Sequence, residues 1–235
     1  MRTGLICPQC AEAAGGIGTL FVETIREDGL YTGKCPNGHD LLIATQTLRH
    51  EMLFEIALNA IADGYYREAV SSFASSIERF FEFAIAVLAS TRAVAPEVFS
   101  AAWKKVSSQS ERQLGAYVFL YAVSFGAVPQ LLNNKMVELR NDVIHKGVLP
   151  EKRDAETFGA AAYEVIQIGM QKLRESCLAD VNNILGQHVA KIAEKMGSRY
   201  PRAFQVTPTA LNVIQDISAG YKPFDQLLRD RNVRV

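Results

Sequence analysis

The chain has 235 residues, 49% of them apolar and 21% charged, enough apolar side chains for one packed domain with a small appendage. Lysine plus arginine and aspartate plus glutamate each number 25, so the net charge selects no polyanionic partner, and a nucleic-acid site must be a local patch. No apolar run approaches the roughly 18 residues of a membrane-spanning helix, and the N-terminal Met-Arg-Thr-Gly-Leu-Ile-Cys lacks the apolar stretch of a secretory signal, so no membrane contact and cytoplasmic residence are expected.

Cys7, Cys10 and Cys35 crowd the N-terminus, while Cys177 lies alone inside a helical pattern. Spacing of that kind favours a metal over a disulfide framework. Cys7-Pro8-Gln9-Cys10 supplies two thiolates from one tight turn, and Cys35-Pro36-Asn37-Gly38-His39 supplies a thiolate and an imidazole from another. Cys7, Cys10, Cys35 and His39 make a closed tetrahedral set for one structural Zn2+ per chain, with no open position for a catalytic metal. The second knuckle reads Cys-x-x-x-His where Cys-x-x-Cys is the commoner form. Between the knuckles, Gly18 to Lys34 predicts a hairpin: Leu20, Val22 and Thr24 alternate, Glu27-Asp28-Gly29 turns, and Leu30-Tyr31-Thr32 returns. Residues 5–44 therefore resemble a zinc ribbon, a module bounded here at 1–45. Such a ribbon contacts RNA, contacts a protein partner, or caps the fold.

Beyond residue 45 apolar residues recur at helical spacing. The first predicted helix runs from Thr47 to Ala62 and stops at Asp63-Gly64. The second runs from Tyr66 to Ser90; its wide stripe of Val70, Phe73, Ile77, Phe80, Phe81, Ala84, Ile85 and Leu88 marks it as the centre of a bundle. Glu78 and Arg79 interrupt that stripe, either as a solvated flank or as buried partners for a later helix. Pro96, Phe99 and Trp103 predict a short third helix. Ser110 with Gln113 has the form of a capping box opening a fourth, through Leu114, Val118, Tyr121 and Phe125, which Gly126 and Pro129 break. A fifth spans Asn133 to His145, and a long sixth spans Ala155 to Met196. In the last, Ile166, Met170, Leu173, Cys177, Val181, Ile184 and His188 share one face, so Cys177 reads as a small core hydrophobe and His188 as a core or interface histidine. His50 has no evident partner. Residues 199–235 hold a short helical candidate at Thr209 to Ser218 and a basic end at Arg229, Arg231 and Arg234; they form a solvated tail over the bundle or an arm that touches RNA.

The fifth helix ends in Leu139-Arg140-Asn141-Asp142-Val143-Ile144-His145-Lys146-Gly147, with Pro150 just beyond. Five residues advance about 500° along a helix, which points Arg140 and His145 roughly 140° apart. Asn141 and His145, at i and i+4, share a face, so Asn141 is placed to orient the imidazole. The order Arg-Asn-x-x-x-His-Lys-Gly, late in an all-helical chain behind a long aromatic helix, resembles the signature of HEPN-domain ribonucleases. The resemblance covers residues 47–196 and outside the motif rests on helix layout.

Taken together these readings give a mainly α fold: a helical bundle (46–198), HEPN-like by the resemblance, with a small N-terminal β-hairpin zinc ribbon (1–45) and a C-terminal tail (199–235) packed on or extending from the bundle. The resemblance implies a homodimer in which a twofold axis sets two motifs face to face around one RNA phosphodiester. The activity expected is metal-independent endoribonuclease cleavage to a 2′,3′-cyclic phosphate, with His145 as acid/base, Arg140 as transition-state clamp and Asn141 as orienter. The family context adds a toxin or antiviral-defence role. Two other readings compete. In one the bundle is a non-catalytic module that binds RNA, a nucleotide or a protein; in the other, Arg140 is a surface residue and Asn141–His145 a polar pair at a helix end, where a histidine is electrostatically favourable.

Overall fold

The computed structural model describes residues 2–16, 18–198, 202–207, 209–212 and 221–232. The fold is mainly helical with an N-terminal β-hairpin, and it divides into two compact units, Met1–Leu48 with Leu185–Pro208 and Arg49–Ile184 with Thr209–Val235.

The first unit contains β1 (Arg2–Ile6), α1 (Pro8–Ala13), β2 (Leu20–Thr24), β3 (Leu30–Lys34), β4 (Asp40–Thr45) and β5 (Arg202–Gln205). The strands expected at Leu20–Thr24 and Leu30–Thr32 form, but they do not pair with each other. β2 runs antiparallel to β1, with Ile6 opposite Leu20, and β3 runs antiparallel to β4, with Lys34 opposite Asp40. The physical reason lies in the knuckles. Cys7–Cys10 sits between β1 and β2 and Cys35–His39 between β3 and β4, so each cysteine turn closes its own strand pair. The Glu27–Gly29 turn then links two separate sheets. It is tightened by the Asp28 carboxylate, which accepts from the Leu30 N–H (3.1 Å), and by Gly29 at φ +63°.

β4 lies between β3 and β5, with residues 41–45 all buried. Burial on both faces erases the period-two alternation that identifies a half-exposed strand. Its parallel partner β5 comes from the other end of the chain, pairing Leu42 with Arg202 and Thr45 with Gln205. The Gln205 amide reaches further: Oε1 accepts from the Ile6 N–H (3.0 Å) and Nε2 donates to the Gly4 carbonyl (2.9 Å), so one side chain satisfies two backbone groups of β1. Ile192 and Met196, at the end of the long helix Lys152–Met196, pack on Leu42 and Ala44.

The second unit contains α2 (Arg49–Ala62), α3 (Tyr66–Ser90), α4 (Pro96–Val106), α5 (Ser110–Phe125), α6 (Asn134–His145), most of α7 (Lys152–Met196) and α8 (Phe224–Asn232). α3 is the centre: Phe73, Phe80, Val70 and Leu88 are completely buried, and the whole predicted stripe lies inside. Each such side chain contributes roughly 1.5–3 kcal/mol by leaving water. α7 meets this stripe through two glycines. A Cβ on Gly169 would stand 2.6 Å from the Phe80 ring, and one on Gly159 would stand 2.7 Å from Phe73, so only glycine admits these aromatic rings. α7 kinks at Cys177 (φ −140°, ψ 33°), which is buried as expected of a small hydrophobe.

The capping box at Ser110 does not form. Ser110 is the first helical residue, one place too late to cap, and Gln113 is drawn into the interior, donating to the Ser107 carbonyl (2.7 Å) and accepting from Arg79 (3.3 Å).

The described part of the C-terminal segment is built into the fold. Phe224 packs against Phe73 and Tyr163 (centroids 6.1 and 5.9 Å), the Tyr163 hydroxyl donates to the Lys222 carbonyl (2.9 Å), and the buried Arg231 guanidinium pairs with the buried Glu55 carboxylate, which also accepts from the Ala210 N–H. Arg231 is therefore a core cation and no part of a solvent-facing arm. Arg234 and most of the helical candidate at Thr209–Ser218 lie outside the described residues. Among the described residues no helix is long and apolar enough to cross a membrane.

Candidate functional site

The two knuckles converge. Cys7 Sγ, Cys10 Sγ, Cys35 Sγ and one nitrogen of His39 all lie within 4.8 Å of one another. The Nδ1 atom of His39 faces the thiols, 3.7 Å from Cys7, 3.2 Å from Cys10 and 3.6 Å from Cys35, and Cys10 and Cys35 are 3.8 Å apart. Donors about 2.3 Å from a central ion, tetrahedrally arranged, have edges of about 3.8 Å. These separations therefore fit one tetrahedral ion, and the four residues can hold one metal.

Local structure fixes each donor. Pro8 begins α1, whose first turn carries Cys7 and Cys10; the Cys7 N–H donates to the Thr19 carbonyl (3.1 Å). Gly18 runs so close to this turn that a Cβ would stand 2.6 Å from the Cys7 carbonyl oxygen. In the second knuckle the Cys35 N–H donates to the His39 carbonyl (3.0 Å), and Gly38 takes the left-handed conformation at φ +82° that lets His39 double back.

Asn37 donates from Nδ2 to Cys10 Sγ (3.3 Å) and to the Thr19 hydroxyl (3.0 Å). The Thr19 hydroxyl and then the Asn37 amide favour the Cys10 thiolate and hold its pKa down at about 6, whereas burial pushes the Cys7 thiol up. Neither outer residue stands out in the sequence. Asn37 lies inside the second knuckle, where its position is the only hint, and Thr19 carries no signal.

The Arg140–His145 segment is built differently. Asn133 caps α6, its side chain accepting from the Met136 N–H (3.0 Å). Gly147 (φ +73°) ends it, with the Val148 N–H returning to the Asp142 carbonyl (3.1 Å), as Gly147 and Pro150 foretold. Arg140 and Asn141 are brought together: Asn141 Oδ1 accepts from Arg140 Nε (3.1 Å) and Nη2 (2.9 Å). Nη1 of Arg140 lies 3.8 Å from the Glu78 carboxylate of α3, so one of the two residues that interrupt the α3 stripe serves as a partner for this helix.

His145 is not brought to Asn141. It is the last residue of α6, exposed, and no hydrogen bond joins the two side chains among the described residues. The Asn141 carbonyl is already engaged by Arg140, which removes the acceptor the imidazole would use. His145 and Arg140 do share a neighbour in Glu111, at the start of α5. The Glu111 carboxyl is held below its usual range first by its own backbone N–H and by Ser110, and further by the charges of Arg140 and His145. Lys146 is paired with Asp142 (2.6 Å). One chain thus presents one half-buried guanidinium and one open imidazole.

Elsewhere, His188 is half-buried on α7. His50 is fully buried between Phe80 and Phe83 (centroids 5.8 and 5.7 Å) with Nε2 lacking a hydrogen-bond partner, and burial lowers its pKa to about 3. No family model, curated protein or solved structure matches this chain.

Proposed function

We propose that the chain is a metal-independent endoribonuclease whose site is completed by a second copy. The observation that carries this reading is the contrast within α6: Arg140 is held by Asn141 and Glu78, while His145 stands open at the helix end beside exposed Val148 and Leu149. An isologous pair of such ends supplies two imidazoles and two guanidiniums from one patch meeting itself. One histidine takes the 2′-hydroxyl proton as that oxygen attacks phosphorus. The other protonates the 5′-oxygen as its bond to phosphorus breaks, leaving a 2′,3′-cyclic phosphate and a 5′-hydroxyl. The arginines meet the charge on the equatorial oxygens of the transition state. In this reading Asn141 holds Arg140; it does not orient His145.

We assign one structural Zn2+ to Cys7, Cys10, Cys35 and His39, a donor set that suits a closed zinc site. When bound, the ion supplies folding free energy to the first unit and no catalytic step. Three free thiol ligands suit a reducing compartment such as the cytoplasm.

Incubation of purified chain with single-stranded RNA in EDTA, with product ends analysed, tests the reading. Cleavage to cyclic phosphate that disappears in His145→Ala and Arg140→Ala supports it; cleavage that survives His145→Ala, or none in the wild type, removes it. One observation favours a second reading, a non-catalytic binding module: the Nε–Nη2 edge of Arg140 is already engaged by Asn141. RNA binding without cleavage in the wild type selects that module.

A further inference from the structure

Helix α4 has no buried residue, although it is amphipathic and eleven residues long. Its apolar side is a pair of half-buried aromatics, Phe99 and Trp103, with rings parallel to within 4° and centroids 6.3 Å apart. The next two residues, Lys104 and Lys105, are exposed in its last turn. A helix retained for core packing would bury this face, and α4 does not.

Its C-terminal end is tethered to the start of α5. Arg112 donates to the Lys105 carbonyl (3.2 Å), and the buried Gln113 donates to the Ser107 carbonyl (2.7 Å). Gln113 also accepts from Arg79 of α3 (3.3 Å), and the neighbouring Glu78 lies 3.8 Å from Arg140. The last turn of α4 and Arg140 are therefore connected through the start of α5 and two adjacent residues of α3. Two adjacent lysines with Arg112 beside them form a local cationic group in a chain of zero net charge. Paired aromatic faces next to such a group are the combination that tracks a single strand, with phosphates on the cations and bases on the rings.

We propose that the last turn of α4, with Lys104, Lys105 and the Phe99–Trp103 pair, is the surface that receives single-stranded RNA and leads it to Arg140 and His145. The proposal rests on RNA being the substrate of that segment. It also accounts for a helix that contributes little to the core.

Trp103 is the chain's single tryptophan and reports directly. The experiment titrates the full chain carrying His145→Ala, so that RNA stays intact, with a mixed-sequence single-stranded RNA oligomer, reading Trp103 emission and Kd across salt concentrations. It is repeated with Lys104→Gln/Lys105→Gln added. Both lysines are exposed, so folding is preserved. RNA should quench Trp103; the double change should weaken binding about tenfold and lower the log–log salt slope by about 1.4, the share of two phosphate contacts on a single strand. An RNA complex with unchanged emission and unchanged slope overturns the inference while leaving cleavage by wild type standing. Lysine-dependent binding with no cleavage by wild type removes the nuclease reading and keeps this surface. Absence of any RNA binding removes this surface, and cleavage by the wild type then decides the nuclease reading by itself.

Discussion

The two units of this protein are held by opposite means. The first has two small apolar clusters, Leu5, Tyr31, Leu41 and Ile43 with the cysteines, and Leu42, Ala44, Ile192 and Met196, and its two knuckles bring four donor atoms within 4.8 Å of one another among five short strands. The second is ordered by shape, with Phe54, Phe73, Phe80 and Phe158 fully buried and glycines in α7 cut to fit them. The contrast teaches where a single residue matters. In the first unit chemical identity decides, since serine for cysteine removes one of the four donors that can hold a metal; in the second, volume decides.

The largest test of this contrast is metal removal. A structural zinc of this type contributes about 10–16 kcal/mol to folding, so a strong chelator should abolish amide-exchange protection in β1 to β4 while α3 keeps its protection. Elemental analysis should give close to one zinc per chain before treatment. Equal loss of protection in both units would erase the distinction.

Arg231→Ala comes next. It leaves the Glu55 carboxylate buried without its cation and should cost about 3–5 kcal/mol in a denaturant melt, with metal content unchanged.

His50 gives the pH version. Folded, its pKa is about 3; released into the unfolded chain it returns to the ordinary imidazole value of 6.5. Between those values the unfolded chain binds the extra proton, so stability is whole above pH 6.5 and falls as pH drops, by roughly 1.4 kcal/mol per unit. His50→Leu should flatten that slope in acid melts of the helical unit; a slope equal to wild type would show that His50 does not set it.

Gly169→Ala pushes a methyl group against Phe80 and should destabilise by roughly 1–3 kcal/mol. The smallest effect is expected from Asn133→Ala, which removes the α6 cap at a cost of about 1 kcal/mol and should raise amide exchange in the first turn of α6 only.

The helices were legible because their signals are local. The α3 stripe repeats at 3.6 residues, Gly64, Gly126 and Gly147 end α2, α5 and α6, and the predicted bounds of α3 match the observed Tyr66–Ser90. All four candidate metal ligands were legible too, because knuckle spacing is itself a description of the turn. What escaped was everything decided at a distance. β4 shows no alternation because it is covered on both faces, and β5 joins it from the far end of the chain. Gln113 looked like half of a cap and is instead a buried bridge between Arg79 and Ser107. Asn141 has the spacing to reach His145, yet Arg140 holds its carbonyl.

The amino-acid order alone thus determined the helical periods, their stops and the donors of each candidate metal knuckle, since each depends on residues within a few positions of one another. Only the tertiary structure decided which strands pair, that the C-terminal strand completes the three-stranded sheet of the first unit, that Arg231 is a core cation, and that Arg140 rather than His145 receives Asn141. Those outcomes turn on competition among partners, most of them far apart in the chain, and a hydrogen-bond acceptor or a sheet edge goes to the partner that the folded chain places within reach.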